Sequence, residues 1–459
     1  MRPKKSKQTE CFLSDLSGSA LSHRRLTAQD YKTLWLATLG GVLEFYDFII
    51  FVFFANTIGN LFFPPEIPDW VRQFQTFGVF AAGYLARPLG GVVMAHAGDL
   101  RGRKEMFTLS IFLMAVPTLG IGLLPTYAEL GIWAPILLLL FRILQGAAVG
   151  GEVPGAWVFV SEHVPPSRIG LACGTLTAGL TGGILLGSLV ATGLNMVMRP
   201  AQLVAHGWRI PFLLGGAFGL LSVYLRRLLT ETPVFEELKA RQALAAETPL
   251  KTVVRGHRAA VVLSGLLTWM LSAAIVVVVL MTPALFEKMY SVDSVAALRA
   301  NSFATLALAA GCVLAGWLTD RFGPGRILMV GCVLLGIAAY LLYAGVRQDR
   351  SLLVPLYSLA GLTVGVVGVV PSVMCVVFPP AIRFSGVSFS YNLAYAIFGG
   401  VTPIIVTWLL RFDPLAPAHY VGALCLLGFG VGIFLFSTGM ADKLDERRLI
   451  VSEANSGQS

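Results

Sequence analysis

The sequence predicts an all-α membrane protein, with twelve transmembrane helices arranged as two six-helix bundles. Three observations carry that expectation. Of 459 residues, 56% are hydrophobic and only 13% charged, against roughly a quarter charged in soluble domains, which is too little charge to cover a water-soluble protein of this length. The chain divides into twelve apolar runs, each close to the ~20 residues that a spanning helix needs. A polar, charge-rich stretch separates them six from six.

A polar, basic N-terminal tail covers 1–32 and is expected to face the cytoplasm. Because about 30 polar residues precede the first apolar run, that run reads as an uncleaved anchor and not a signal peptide. Apolar runs at 34–56, 71–94, 106–125, 133–157, 169–196 and 208–228 form the first bundle, over 33–228. The stretch 229–258, with Glu231, Glu236, Glu237, Lys239, Lys251 and Arg255, has the composition of a cytoplasmic linker. Runs at 259–285, 296–318, 326–346, 351–378, 386–410 and 418–440 form the second bundle, over 259–440, and a tail follows at 441–459. The net charge of +9 lies in short clusters between apolar runs, so it marks topology and argues against nucleic acid. With both termini in the cytoplasm, basic residues favour that side by about three to one. The cysteines are widely spaced in apolar stretches and read as small core residues, not as disulfides or metal ligands.

One motif occurs twice. The second run leads into Gly98-Asp99-Leu100-Arg101-Gly102-Arg103-Lys104, and the eighth into Thr319-Asp320-Arg321-Phe322-Gly323. Each Asp ends the second helix of its half. A glycine turn carrying an acid and flanking bases suits a gate, holding two helix ends by charge-assisted hydrogen bonds and releasing them when the halves rock. Asp99, Arg101, Gly102, Arg103, Asp320, Arg321 and Gly323 are the expected gating residues, with Glu152 beside them.

These loops resemble the signature of the major facilitator superfamily. The second copy fits well as far as Gly323; in the first, Ala95 replaces a glycine and Leu100 a base. Within that superfamily the chain resembles the metabolite:proton symporters. The motifs are Leu43-Glu44-Phe45-Tyr46-Asp47-Phe48, Ala86-Arg87-Pro88-Leu89-Gly90-Gly91, Gln145-Gly146, Gly150-Gly151-Glu152, Gly207-Trp208-Arg209-Ile210-Pro211-Phe212 and Ser390-Tyr391-Asn392-Leu393. After Glu152 this chain has Val153-Pro154-Gly155, where that branch usually has an aromatic and small residues. The resemblance implies import of a small organic acid or zwitterion with protons, by alternating access, in a bacterial cytoplasmic (inner) membrane. A proton-driven exporter of the same fold is the alternative. The implied partners are substrate, protons and lipid, with no cofactor, no metal, no enzymatic activity and a monomeric state.

Charges at mid-membrane are expensive and so mark function. Glu44 and Asp47, three apart, share a helical face at depths of roughly 15 and 20 Å. Two close acids in a poor solvent suit proton coupling, with a permanently paired structural acid as the alternative. Arg142, roughly 14 Å deep, suits a substrate carboxylate, and Gln145 shares its face; a structural ion pair with the first-run acids is the other reading. Arg87 lies nearer the cytoplasm, level with Glu152, where a helix-end pair ranks ahead of substrate contact. In the second bundle, which has no mid-membrane acid or base by this parsing, Ser390, Tyr391, Asn392 and Tyr395 form the most polar cluster. Tyr46, Gln145, Tyr391 and Asn392 complete the expected substrate contacts.

Overall fold

The computed structural model describes residues 26–227, 231–240 and 249–438. Among the described residues, eleven helices are long and apolar enough to cross a membrane unaided: Ala28–Phe53, Phe74–Arg101, Lys104–Leu123, Trp133–His163, Pro166–Val197, Arg258–Tyr290, Val295–Phe322, Pro324–Gln348, Arg350–Val377, Pro380–Leu409 and Ala416–Thr438. The remaining span, sixth in chain order, is the pair Pro200–Gly207 and Arg209–Leu225, bent by 45°. Together they give the expected twelve, in two groups of six. Large apolar side chains point outward along the spans, Leu426 at 75% exposure among them, as a bilayer solvent requires.

Local chemistry sets the helix ends. The first span starts at a capping box, in which the Thr27 hydroxyl accepts from the Asp30 amide and the Asp30 carboxylate accepts from the Thr27 amide at 2.7 Å. The duplicated motif behaves differently from the expected loop. The second span stays helical to Arg101 and the eighth to Phe322, so Asp99 and Asp320 sit on the last turns of helices. The turns themselves are single glycines, Gly102 at φ 134° and Gly323 at φ 83°, conformations that a Cβ would disfavour.

The linker is more than a tether. Helices Pro233–Ala240 and Pro249–Gly256 form within it, and Thr232, Phe235 and Val253 are buried. The Glu231 carboxylate accepts from the Lys104 amide at 3.2 Å, capping the third span. Between the halves, the second span packs on the eleventh and the fifth on the eighth. The latter approach depends on small residues: a Cβ on Gly174 would stand 2.5 Å from the Cys312 carbonyl oxygen.

Candidate substrate and coupling site

Arg87, 2% exposed, lies at the seam between the halves. Its guanidinium carbon is 4.6 Å from the ring centre of Tyr395, 5.4 Å from Tyr391 and 5.5 Å from Tyr84. Tyr84 is on the same helix face, one turn away, and Tyr391 and Tyr395 come from one face of the eleventh span. The rings of Tyr84 and Tyr395 stack across the seam at 5.9 Å and 12°, and Trp157 meets Tyr391 edge-on at 4.9 Å. Cation–π attraction offsets part of the cost of burying this charge. Arg87 Nε and Nη2 have no hydrogen-bond partner among the described residues. That pair of N–H groups forms the flat edge that takes a carboxylate bidentately. The helix-end pair with Glu152 expected from depth is therefore replaced by an aromatic cage; Glu152 is itself buried, on the fourth span.

Arg142 lies on the fourth span with its guanidinium over Phe51 and Phe80, at 4.4 and 5.3 Å. Gly83 of the second span lets the fourth come close: a Cβ there would stand 3.1 Å from the Arg142 carbonyl oxygen. Arg142 Nη1 donates to Gln145 Oε1 at 2.8 Å, and Gln145 Nε2 donates to the Thr118 hydroxyl at 2.7 Å, so the amide expected to contact substrate is engaged on its own helix face and with the third span. All three side chains are fully buried. Asp47, 1% exposed, stands in the same neighbourhood: a Cβ on Gly215 of the sixth span would meet both its carboxylate and Thr118. Asp47 thus lies near the Thr118 end of that hydrogen-bond chain, inside the first half. Tyr46, expected to contact substrate, instead turns into the first half, donating to the Pro211 carbonyl at 3.0 Å and packing on Phe218. Tyr46 and Asp47 both meet the sixth span, Tyr46 at Pro211 and Phe218 and Asp47 at Gly215 and Gly219. Glu44 lies on the first span, and its side chain is outside the described residues.

Asn392 performs a different task from the expected one. It is fully buried, and its Nδ2 donates to the Gly150 carbonyl at 2.7 Å, where the Ser388 hydroxyl also donates at 3.3 Å. In a helix the Gly150 carbonyl would accept from residue 154. That residue is Pro154, which has no N–H. The amide from the other half supplies the missing donor, so Asn392 joins the halves below Arg87.

The duplicated acids join them again. Asp99 accepts from the Ser385 amide at 2.9 Å, and Asp320 from the amides of Gly170 and Leu171 at 2.7 and 2.9 Å. Each carboxylate thus sits at the N-terminal end of a helix in the opposite half, where N–H groups and the helix dipole favour a negative charge. Backbone amides of the opposite half therefore hold both acids. Arg101 is exposed, Arg321 lies over the rings of Trp317 and Phe322 at 5.8 and 5.6 Å, and the Arg103 side chain is outside the described residues. Sequence reasoning missed Glu162 and Arg383, which form a buried 2.8 Å ion pair between the halves. A signal existed: Pro165-Pro166-Ser167-Arg168 and Pro379-Pro380-Ala381-Ile382-Arg383 repeat one pattern before the fifth and eleventh spans.

Comparison with known proteins agrees with this architecture. Residues 49–403 match the family model described as Major Facilitator Superfamily. The chain is 34% identical over 88% of its length to a candidate proline/betaine transporter of Staphylococcus aureus (strain COL), 88% of which is covered. It is 31% identical to the glycine betaine/proline/ectoine/pipecolic acid transporter of Dickeya dadantii, over 89% of this chain and 83% of that one. The proton:xylose symporter bound to 6-bromo-6-deoxy-D-glucose superposes with a TM-score of 0.74 at 17% identity, over 89% of this chain and 95% of that one. This chain is an integral membrane protein that transports small solutes, and it belongs to the major facilitator superfamily.

Proposed function

We propose that this protein imports a small carboxylate-bearing solute together with protons, by alternating access across a bacterial inner membrane. The observation that carries the reading is the buried Arg87 guanidinium with its Nε–Nη2 edge open, framed by tyrosines from both halves. A carboxylate bound there would rest on residues of both bundles, so its arrival would bear on how they pack. The relatives named for proline and betaine make a zwitterion the first candidate. Such a substrate would place its carboxylate on Arg87, and Arg142 would sense its charge from the neighbouring face.

Coupling would run through the first half. A carboxylate close to Arg142 would loosen the Arg142–Gln145–Thr118 chain, and Asp47 at its far end would respond by binding a proton, with Glu44 as the second acid. The motif end, which we assign to the cytoplasm from the charge bias, is shut by Asp99, Asp320, Asn392 and the Glu162–Arg383 pair. Loading from outside, protonation and parting of these contacts would form one cycle.

The test is uptake of proline, glycine betaine and dicarboxylates into proteoliposomes with an imposed pH gradient. Concentrative uptake with acid outside is expected, and it should disappear in Asp47→Asn or Glu44→Gln while counterflow exchange persists. Uptake indifferent to the gradient would overturn proton coupling, and accumulation only under the reverse gradient would make the protein an exporter.

A further inference from the structure

A groove of about 1040 Å³ runs along the flank of the second half, away from the transport site, between the ninth, tenth and twelfth spans. Its floor is formed by small residues, Gly336, Ala344, Gly345, Gly422 and Ala423, and its walls by Ile337, Leu341, Leu356, Leu426 and Phe429. Ile337 and Leu426, 55% and 75% exposed, leave it open to the side, towards lipid. Water gains nothing in a channel so lined.

The groove has a polar mouth at the membrane face opposite the duplicated motif. There the Tyr340 hydroxyl and His419 Nδ1 share a 2.7 Å hydrogen bond, and His419 Nε2 and Asp413 Oδ2 are 2.8 Å apart. Gln348 lines the same mouth. Next to it, Arg347 lies close enough to act on the Asp413 carboxyl. The mouth therefore offers an acid and a base side by side. From His419 to Phe429 the twelfth span rises ~15 Å, half of a hydrocarbon core ~30 Å thick. Along the ninth span the lining runs from Gln348 to Cys332, ~24 Å, room for a head group and one acyl chain of one leaflet.

We propose that this groove is a binding site for one zwitterionic phospholipid of the phosphatidylethanolamine type, with an acyl chain laid along Gly336, Gly422 and Ala423, its phosphate at Arg347 and Gln348, and its ammonium at Asp413. The proposal is independent of the substrate and of the direction of transport.

Native mass spectrometry of the full chain tests it. The protein is stripped in detergent and then offered phosphatidylethanolamine or phosphatidylglycerol. The wild type should retain one phosphatidylethanolamine per chain. Ala423→Trp, which fills the open floor, should lose it, and Asp413→Asn should retain it about tenfold less well, the loss expected for one charged hydrogen bond. Monodisperse elution and an unchanged helical circular dichroism signal would show that the variants are folded. Equal retention by the wild type and Ala423→Trp, or equal retention of the two lipids by the wild type, would overturn the proposal. So would a wild-type dimer that Ala423→Trp dissociates, which would make the groove a contact between two copies.

Discussion

Arg87 concentrates the chemistry of the site in one side chain. Lysine would keep the charge and the attraction to the three tyrosines, but it has no flat donor edge. Arg87→Lys should therefore raise the KM for a carboxylate substrate by about tenfold to a hundredfold, with the protein still folded, as initial uptake rates across substrate concentrations would show. Asp413 gives a residue-scale prediction of another kind. The Leu415 amide, the His419 ring and the charge of Arg347 hold its carboxyl below the usual carboxylate range. A depressed folded value means that the contribution to stability is present above the unfolded value, about 3.9, and is lost as pH falls through the folded one. The difference in melting temperature between wild type and Asp413→Asn should therefore shrink as pH falls below about 4.

At the scale of elements, the proline in the fourth span defines how that helix meets the eleventh. Pro154 frees the Gly150 carbonyl, and Asn392 and Ser388 fill the vacancy from the other half. Asn392→Ala should cost the closed arrangement about 1–3 kcal/mol, the range for a buried acceptor left short of its donor. Pro154→Ala should partly rescue it by restoring a helical N–H. Spin-label distances across the motif end would report both effects, with the motif end more open in the first variant and closed again in the double variant. Much of this was legible beforehand. Apolar run length and the linker's charge predicted the spans to within a few residues at most ends, and the spacing of Arg142 and Gln145 put them on one helix face. Asn392 and Tyr46 were misplaced because composition says which residues are polar inside a membrane, while the helix face that each occupies depends on packing partners distant in sequence. The Glu162–Arg383 pair was missed for a related reason: the apolar runs stop short of both residues, at 157 and 386, whereas the fourth helix extends past Glu162 to His163 and the eleventh starts at Arg383.

For the whole molecule, the two bundles are fastened at one membrane face by contacts that repeat across the duplicated architecture. Asp99 reaches into the second half and Asp320 into the first. Removing one partner of the buried Glu162–Arg383 pair leaves a charge without its counterion, at about 3–5 kcal/mol. Glu162→Gln and Asp99→Asn should each shift the resting population towards opening at the motif end, and because the contacts act on one rigid-body movement, their effects should combine. Alkylation of single cysteines placed along the seam, compared between variants, would measure that shift.

The Gly150 carbonyl has one more consequence. When the halves part at the motif end, Asn392 and Ser388 leave with the second half, and the backbone of the fourth span cannot replace them because residue 154 has no hydrogen to give. An acceptor beside the tyrosine cage then faces a newly opened crevice, where only a solvent molecule can supply the bond. Opening at this face must therefore draw water in as far as Gly150, almost to Arg87, and on the proposed cycle a solute held there would be rehydrated by the same movement that frees it.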